Sequence, residues 1–84
     1  MGPEHDTLAF RLANILARLN MGEKLEPRTL AEGFGVNLRT IQRDLNERFS
    51  YLPICKEEGR YFLAPGHLGK IGLEDVRRFA RLAG

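Results

Sequence analysis

Apolar residues recur at helical spacing near the start of the chain, where Leu8, Leu12, Ile15, Leu16 and Leu19 share one face. The spacing predicts a helix over residues 7–21, capped by Asp6 or Thr7 after a loose tail at 1–6 and stopped by Gly22. Phe10, Ala13 and Ala17 widen the apolar arc beyond one face, so this helix is expected to be buried on two sides or to contribute to a subunit contact. Lys24 and Leu25 are too few to predict a strand. A second helix is predicted over 27–34, opened by Pro27 at its first position, with Leu30, Ala31 and Phe34 facing a partner helix. Ala31 is small where two helices approach closely, and Gly35 follows where the turn needs positive φ. Gly33, inside that helix, costs roughly 1 kcal/mol relative to alanine.

Asn37 is a good N-cap for a third helix over 38–50, in which Leu38, Ile41, Leu45 and Phe49 form a single narrow inward stripe. The opposite face is then set by geometry: Arg39 and Arg43 point outward one turn apart, flanked by Thr40, Asn46, Glu47 and Ser50, with Gln42 at the edge of the stripe. Pro53 ends the helical region. Ile54–Glu57, Glu58-Gly59 and Arg60–Leu63 then read as a hairpin over 54–63, with Tyr61 and Leu63 on one face and Phe62 on the other. Phe62 is left near the surface, where it hints at a docking site, unless the last segment folds back over it. A connector at Ala64–His67 leads to a final helix over 73–82, marked by Leu73, Val76, Phe79, Ala80 and Leu82. Its acids Glu74 and Asp75 precede Arg77, Arg78 and Arg81, as the helix dipole prefers.

These elements make a mainly α single domain with a small β-hairpin, the plan of a winged helix-turn-helix spanning residues 1–84. A chain of 84 residues with 43% hydrophobic and 29% charged side chains has room for one modest core. No apolar run approaches the ~20 residues of a membrane helix, and no secretory signal is present, so a cytoplasmic location is expected. Cys55, the only cysteine, excludes an internal disulfide and reads as a small half-buried strand residue. Net charge is only +2, yet residues 60–84 alone carry +3 while residues 1–26 carry −1. The basic surface is expected on the later elements.

Catalysis needs a convergent nucleophile and base or a carboxylate pair, and the only histidines are His5 in the tail and His67 in the connector. No Gly-rich phosphate loop or metal-ligand spacing occurs, so neither an enzyme, a cofactor nor a metal is expected. Binding to double-stranded DNA has a direct physical account. Arg39 and Arg43 can each grip guanine O6 and N7 with two hydrogen bonds, and Thr40 can meet a phosphate or a thymine methyl. Gln42 is a further candidate for the groove, while Asn37, Lys56 and Arg60 are candidates for backbone phosphates. Asp44 and Glu47 oppose this with negative charge, and each has an i,i+4 arginine partner on the helix: Arg48 for Asp44 and Arg43 for Glu47. The acids Glu57 and Glu58 at the hairpin tip weaken readout by the wing.

The run from Phe34 to Leu45, with its Arg39-Thr40-Ile41-Gln42-Arg43-Asp44-Leu45 core, resembles the recognition segment of the DeoR-like winged helices at the N-termini of WYL-domain transcription regulators. Asn46-Glu47-Arg48, Tyr51-Leu52-Pro53, Gly59-Arg60-Tyr61, Leu73-Glu74-Asp75 and Phe79–Gly84 extend the resemblance over most of the chain from Leu8 onward. The resemblance implies an operator-binding module of a bacterial regulator, usually homodimeric and often a repressor of phage-defence operons, with any effector ligand sensed by a downstream domain. That domain lies outside these 84 residues, so a DNA-binding fragment or a stand-alone relative is expected. Asn37 stands where the family more often has a serine cap. The alternative is a winged helix used for protein–protein contact without DNA readout, with Phe62 and the last helix as its surface.

Overall fold

The computed structural model describes residues 8–70. Helix α1 runs over Leu8–Asn20, α2 over Pro27–Phe34 and α3 over Leu38–Arg43, followed by strands β1 (Ile54–Glu57) and β2 (Arg60–Leu63) and a short 3₁₀ turn at Pro65–His67. The chain is therefore mainly helical with one antiparallel hairpin, compatible with a winged-helix arrangement. The expected caps Asp6 and Thr7 and the expected helix at 73–82 lie outside the described residues. No helix among the described residues is long and apolar enough to cross a membrane.

The inward stripes of the three helices meet in one core. Leu12, Ile15 and Leu19 of α1, Leu30 and Ala31 of α2, and Ile41, Leu45 and Phe49 after them are all buried, and Tyr61 and Leu63 of β2 close the layer from the hairpin side. Each buried leucine or isoleucine contributes on the order of 1.5–3 kcal/mol through the surface it removes from water. The other side of α1 is not covered by described residues: Phe10 is 49% exposed, and Ala13, Ala17 and Met21 are exposed along the same face. Among the described residues α1 is therefore buried on one side, and Phe10 makes an edge-on contact with Phe34, ring centroids 6.4 Å apart.

The expected third helix departs from plan at its middle. After Arg43 the backbone widens into a π-helical turn over Asp44–Arg48, with the Phe49 amide donating to the Asp44 carbonyl at 2.9 Å. The stripe supplies the reason. Ile41, Leu45 and Phe49 are spaced four apart, and on a 3.6-residue helix each such step drifts by ~40° around the axis. One wider turn takes up that drift and keeps Phe49 fully buried.

That turn also carries Asp44, a fully buried carboxylate. Arg11 of α1, itself only 9% exposed, donates its Nε to Asp44 Oδ2 at 2.6 Å and Nη2 to Oδ1 at 3.3 Å. Arg48 donates Nη1 to the same Oδ1 at 3.1 Å, the i,i+4 pair expected from spacing. Two guanidiniums from two elements thus satisfy one buried charge.

In the hairpin, Lys56 pairs with Tyr61 and Glu57 with Arg60, around a two-residue loop of Glu58 and Gly59. Both loop residues have positive φ, 53° and 78°, the twist that a tight hairpin turn demands. Leu25, in a stretch too short to predict as a strand, exchanges two backbone hydrogen bonds with Tyr61 at 2.7 and 2.8 Å. That single bridge ties the α1–α2 connection to the free edge of β2.

Glu58 holds a left-handed conformation without glycine's freedom, so Glu58→Asn should raise stability by ~0.5 kcal/mol in urea unfolding; no gain would contradict strain at this turn. Asp44→Ala leaves Arg11 buried without its carboxylate, and the loss expected is about 3–5 kcal/mol. A loss below ~1 kcal/mol, the range of a surface pair, would contradict the anchoring role.

Candidate nucleic-acid interface

The outward face of α3 is set from its first residue. Gly35 ends α2 in the left-handed region at φ 71°, its amide donating to Ala31 and Glu32 carbonyls, and Val36 donates back to Ala31 at 3.0 Å. Asn37 then adopts an extended conformation and its side-chain oxygen accepts from the Thr40 amide at 3.3 Å. The cap read from sequence is formed, and it starts α3 with Ile41 pointing at the core.

Geometry puts the remaining side chains outside. Arg39, Gln42, Arg43, Asn46 and Glu47 line one shallow hollow of about 220 Å3 along α3 and the π-helical turn. Among the described residues, Arg39, Gln42 and Arg43 make no side-chain hydrogen bond or ion pair, so their donors are open to a ligand. The expected pair between Glu47 and Arg43 is not formed. Arg48 is different: it is turned toward Asp44 and withdrawn from this face. Thr40 is half-buried, and Gln42 is exposed and lines a groove with Leu38 at the edge of the apolar stripe.

The hairpin divides its two basic residues. Lys56 shares the core-side face with Tyr61, its ammonium 5.4 Å from the ring centroid. It reaches a groove of about 240 Å3 together with Gln42 and Leu38 of α3 and Arg28 of α2. Arg60 pairs with Glu57 on the opposite face, as strand alternation requires, and lines a separate hollow with Arg18, Lys24 and Thr29. Lys56 and Arg60, both expected to meet backbone phosphates, are therefore not brought together. Phe62 lies on the Arg60 side, half-buried beneath Lys24, whose ammonium is 5.2 Å from its ring centroid.

Arg28 escaped the reading from sequence. One signal was there: a cation in the first turn of a helix opposes the helix dipole, so its presence next to Pro27 asks for another reason. Cys55 is half-buried in β1 opposite Phe62, as a small strand residue should be. Among the described residues, no group of three or more histidine, cysteine or acidic side chains is placed to hold a metal ion.

Removing the cap should be visible without any ligand. Asn37→Ala is expected to lower stability by ~1 kcal/mol, and Asn37→Ser to restore most of it, in chemical unfolding. Equal losses from both variants would mean that Asn37 acts through something other than its cap.

Compared with known protein families, with curated proteins and with solved structures, the chain matches none.

Proposed function

We propose that this chain is a winged helix-turn-helix that binds double-stranded DNA sequence-specifically, as the operator-binding module of a bacterial transcription repressor. The observation that carries the reading is the unpartnered row of Arg39, Gln42 and Arg43 on the exposed side of a helix whose other side is held rigidly in the core. A single helix fits the major groove, and arginine and glutamine are the side chains whose paired donors and acceptors match guanine and adenine edges there. Asn46 and Glu47, in the same hollow, extend the row with an amide and with an acceptor suited to cytosine N4. In this reading Asn37 and Lys56 meet the backbone, while Arg60 reaches phosphate only from the far side of the wing.

A homodimer in the cytoplasm completes the proposal. The exposed strip of Phe10, Ala13, Ala17 and Met21 on α1 supports it, because paired modules read paired half-sites and supply affinity that one small module lacks. The protein–protein alternative rested on an exposed Phe62, and the cover that Lys24 gives this ring takes support from it.

Titration of a short random-sequence duplex at rising salt should give binding that weakens steeply, since each neutralised phosphate adds about 0.9 to the log–log slope. No binding at low salt would contradict the proposal. On a duplex selected from a random pool, Arg43→Ala should cost ~1–3 kcal/mol and relax the preference at one base position. An equal loss on selected and random duplexes would contradict base readout.

A further inference from the structure

Three elements that are distant in sequence converge on the groove beside α3. Arg28 enters from the first turn of α2, Lys56 from β1 and Gln42 from α3, over a floor that includes Leu38 and Tyr61. Both cations are exposed and neither forms an ion pair among the described residues. One acid, Glu26, also lines the groove, its Oε1 accepting from the Thr29 hydroxyl at 2.7 Å, so Arg28 and Lys56 outweigh it by one charge. The Lys56 ammonium lies over the Tyr61 ring, 5.4 Å from its centroid. Two cations and an amide that line one groove can together receive a single tetrahedral monoanion.

From this geometry we infer that the groove clamps one phosphodiester of the bound strand between Arg28 and Lys56, and that Gln42 couples that phosphate to the bases read by Arg39 and Arg43. The inference rests on the DNA reading above and sharpens it. Gln42 is the one side chain shared by the groove and the hollow on α3, so its amide can donate to the held phosphate while lying against the reading arginines. A phosphate fixed at this point sets how deep and in what register α3 enters the major groove.

The test is a double-mutant analysis of salt dependence on a short random-sequence duplex, with wild type, Arg28→Ala, Lys56→Ala and the double variant. All four should fold alike by circular dichroism, because both side chains are exposed and unpaired. If one phosphate is shared, the double variant lowers the log–log slope by about 0.9, and each single variant by less. A fall of about 1.8 would mean two separate phosphates and would overturn the clamp. An unchanged slope in the double variant, with wild type still binding, would remove phosphate from the groove altogether. Absence of wild-type binding would instead overturn the DNA reading itself. Gln42→Ala should leave the slope intact and reduce the discrimination between a selected and a random duplex in the wild-type background, but cost no further discrimination once Arg28 and Lys56 are both alanine; unchanged discrimination, or the same loss in both backgrounds as direct base readout would give, would overturn its coupling role. Inorganic phosphate, added at matched ionic strength, should not compete. Competition beyond the ionic effect would make the groove a site for free phosphate and overturn the assignment to the DNA backbone.

Discussion

The carboxylate of Asp44 sits with no exposure to water where α1 crosses the widened turn after α3, and everything outward of it depends on its two arginine partners. Taking such a charge out of water costs several kcal/mol, and apolar residues of similar size often hold a core together as well. What an apolar side chain lacks is direction. The Arg11 fork meets Asp44 at one height and one rotation of α3, so the helix cannot slide or turn without stranding a buried charge. A rotation of one residue, ~100° about the axis, would swing Arg39 and Arg43 toward the core. Fixing that rotation is the contribution of the Arg11–Asp44–Arg48 group to the reading face.

The same logic sorts the cations of the described chain. Arg11 and Arg48 are consumed by Asp44, and Arg18 by Glu23 at 2.9 Å. Lys24, Arg28, Arg39, Arg43, Lys56, Arg60 and Lys70 carry no ion pair among the described residues. Four of these, Arg28, Arg39, Arg43 and Lys56, lie along α3 or on the groove next to it, while Lys24 and Arg60 share the hollow on the far side of the hairpin. A net charge of only +2 therefore conceals a local excess of positive charge, since the four cations beside α3 face two acids there, Glu47 in the hollow and Glu26 in the groove.

Much of this was legible from residue order. The inward stripe of Ile41, Leu45 and Phe49, the Asn37 cap, the left-handed Gly35 and the hairpin register all follow from local rules, and the structure keeps them. What was not legible depends on contacts between distant residues. Spacing along one helix finds Arg48 for Asp44, but nothing local points to Arg11, 33 residues away, so a residue that reads as a solvated surface acid is the most buried charge among the described residues. The π-helical turn escaped for a related reason: the ~40° drift of each four-residue step is tolerated in a regular helix stripe, and only the need for Phe49 to reach the core calls for the wider turn. Leu25 makes its strand-like bridge with a single residue, too short for any periodicity. Lys56 and Arg60 were a missed inference rather than a hidden one, since a two-residue loop and strand alternation already send them to opposite faces.

The central claim is that the exposed side of α3, held in place by Asp44, is the surface that meets DNA. Nuclear magnetic resonance of the isotopically labelled chain, titrated with a short duplex, tests it residue by residue. The account predicts that the largest shifts fall on the backbone from Asn37 to Arg43 and on the guanidinium Nε–H groups of Arg39 and Arg43, while Arg11 and Arg48 stay unmoved in their pairs with Asp44. Shifts confined to the Phe10–Met21 strip of α1, with α3 silent, would contradict it.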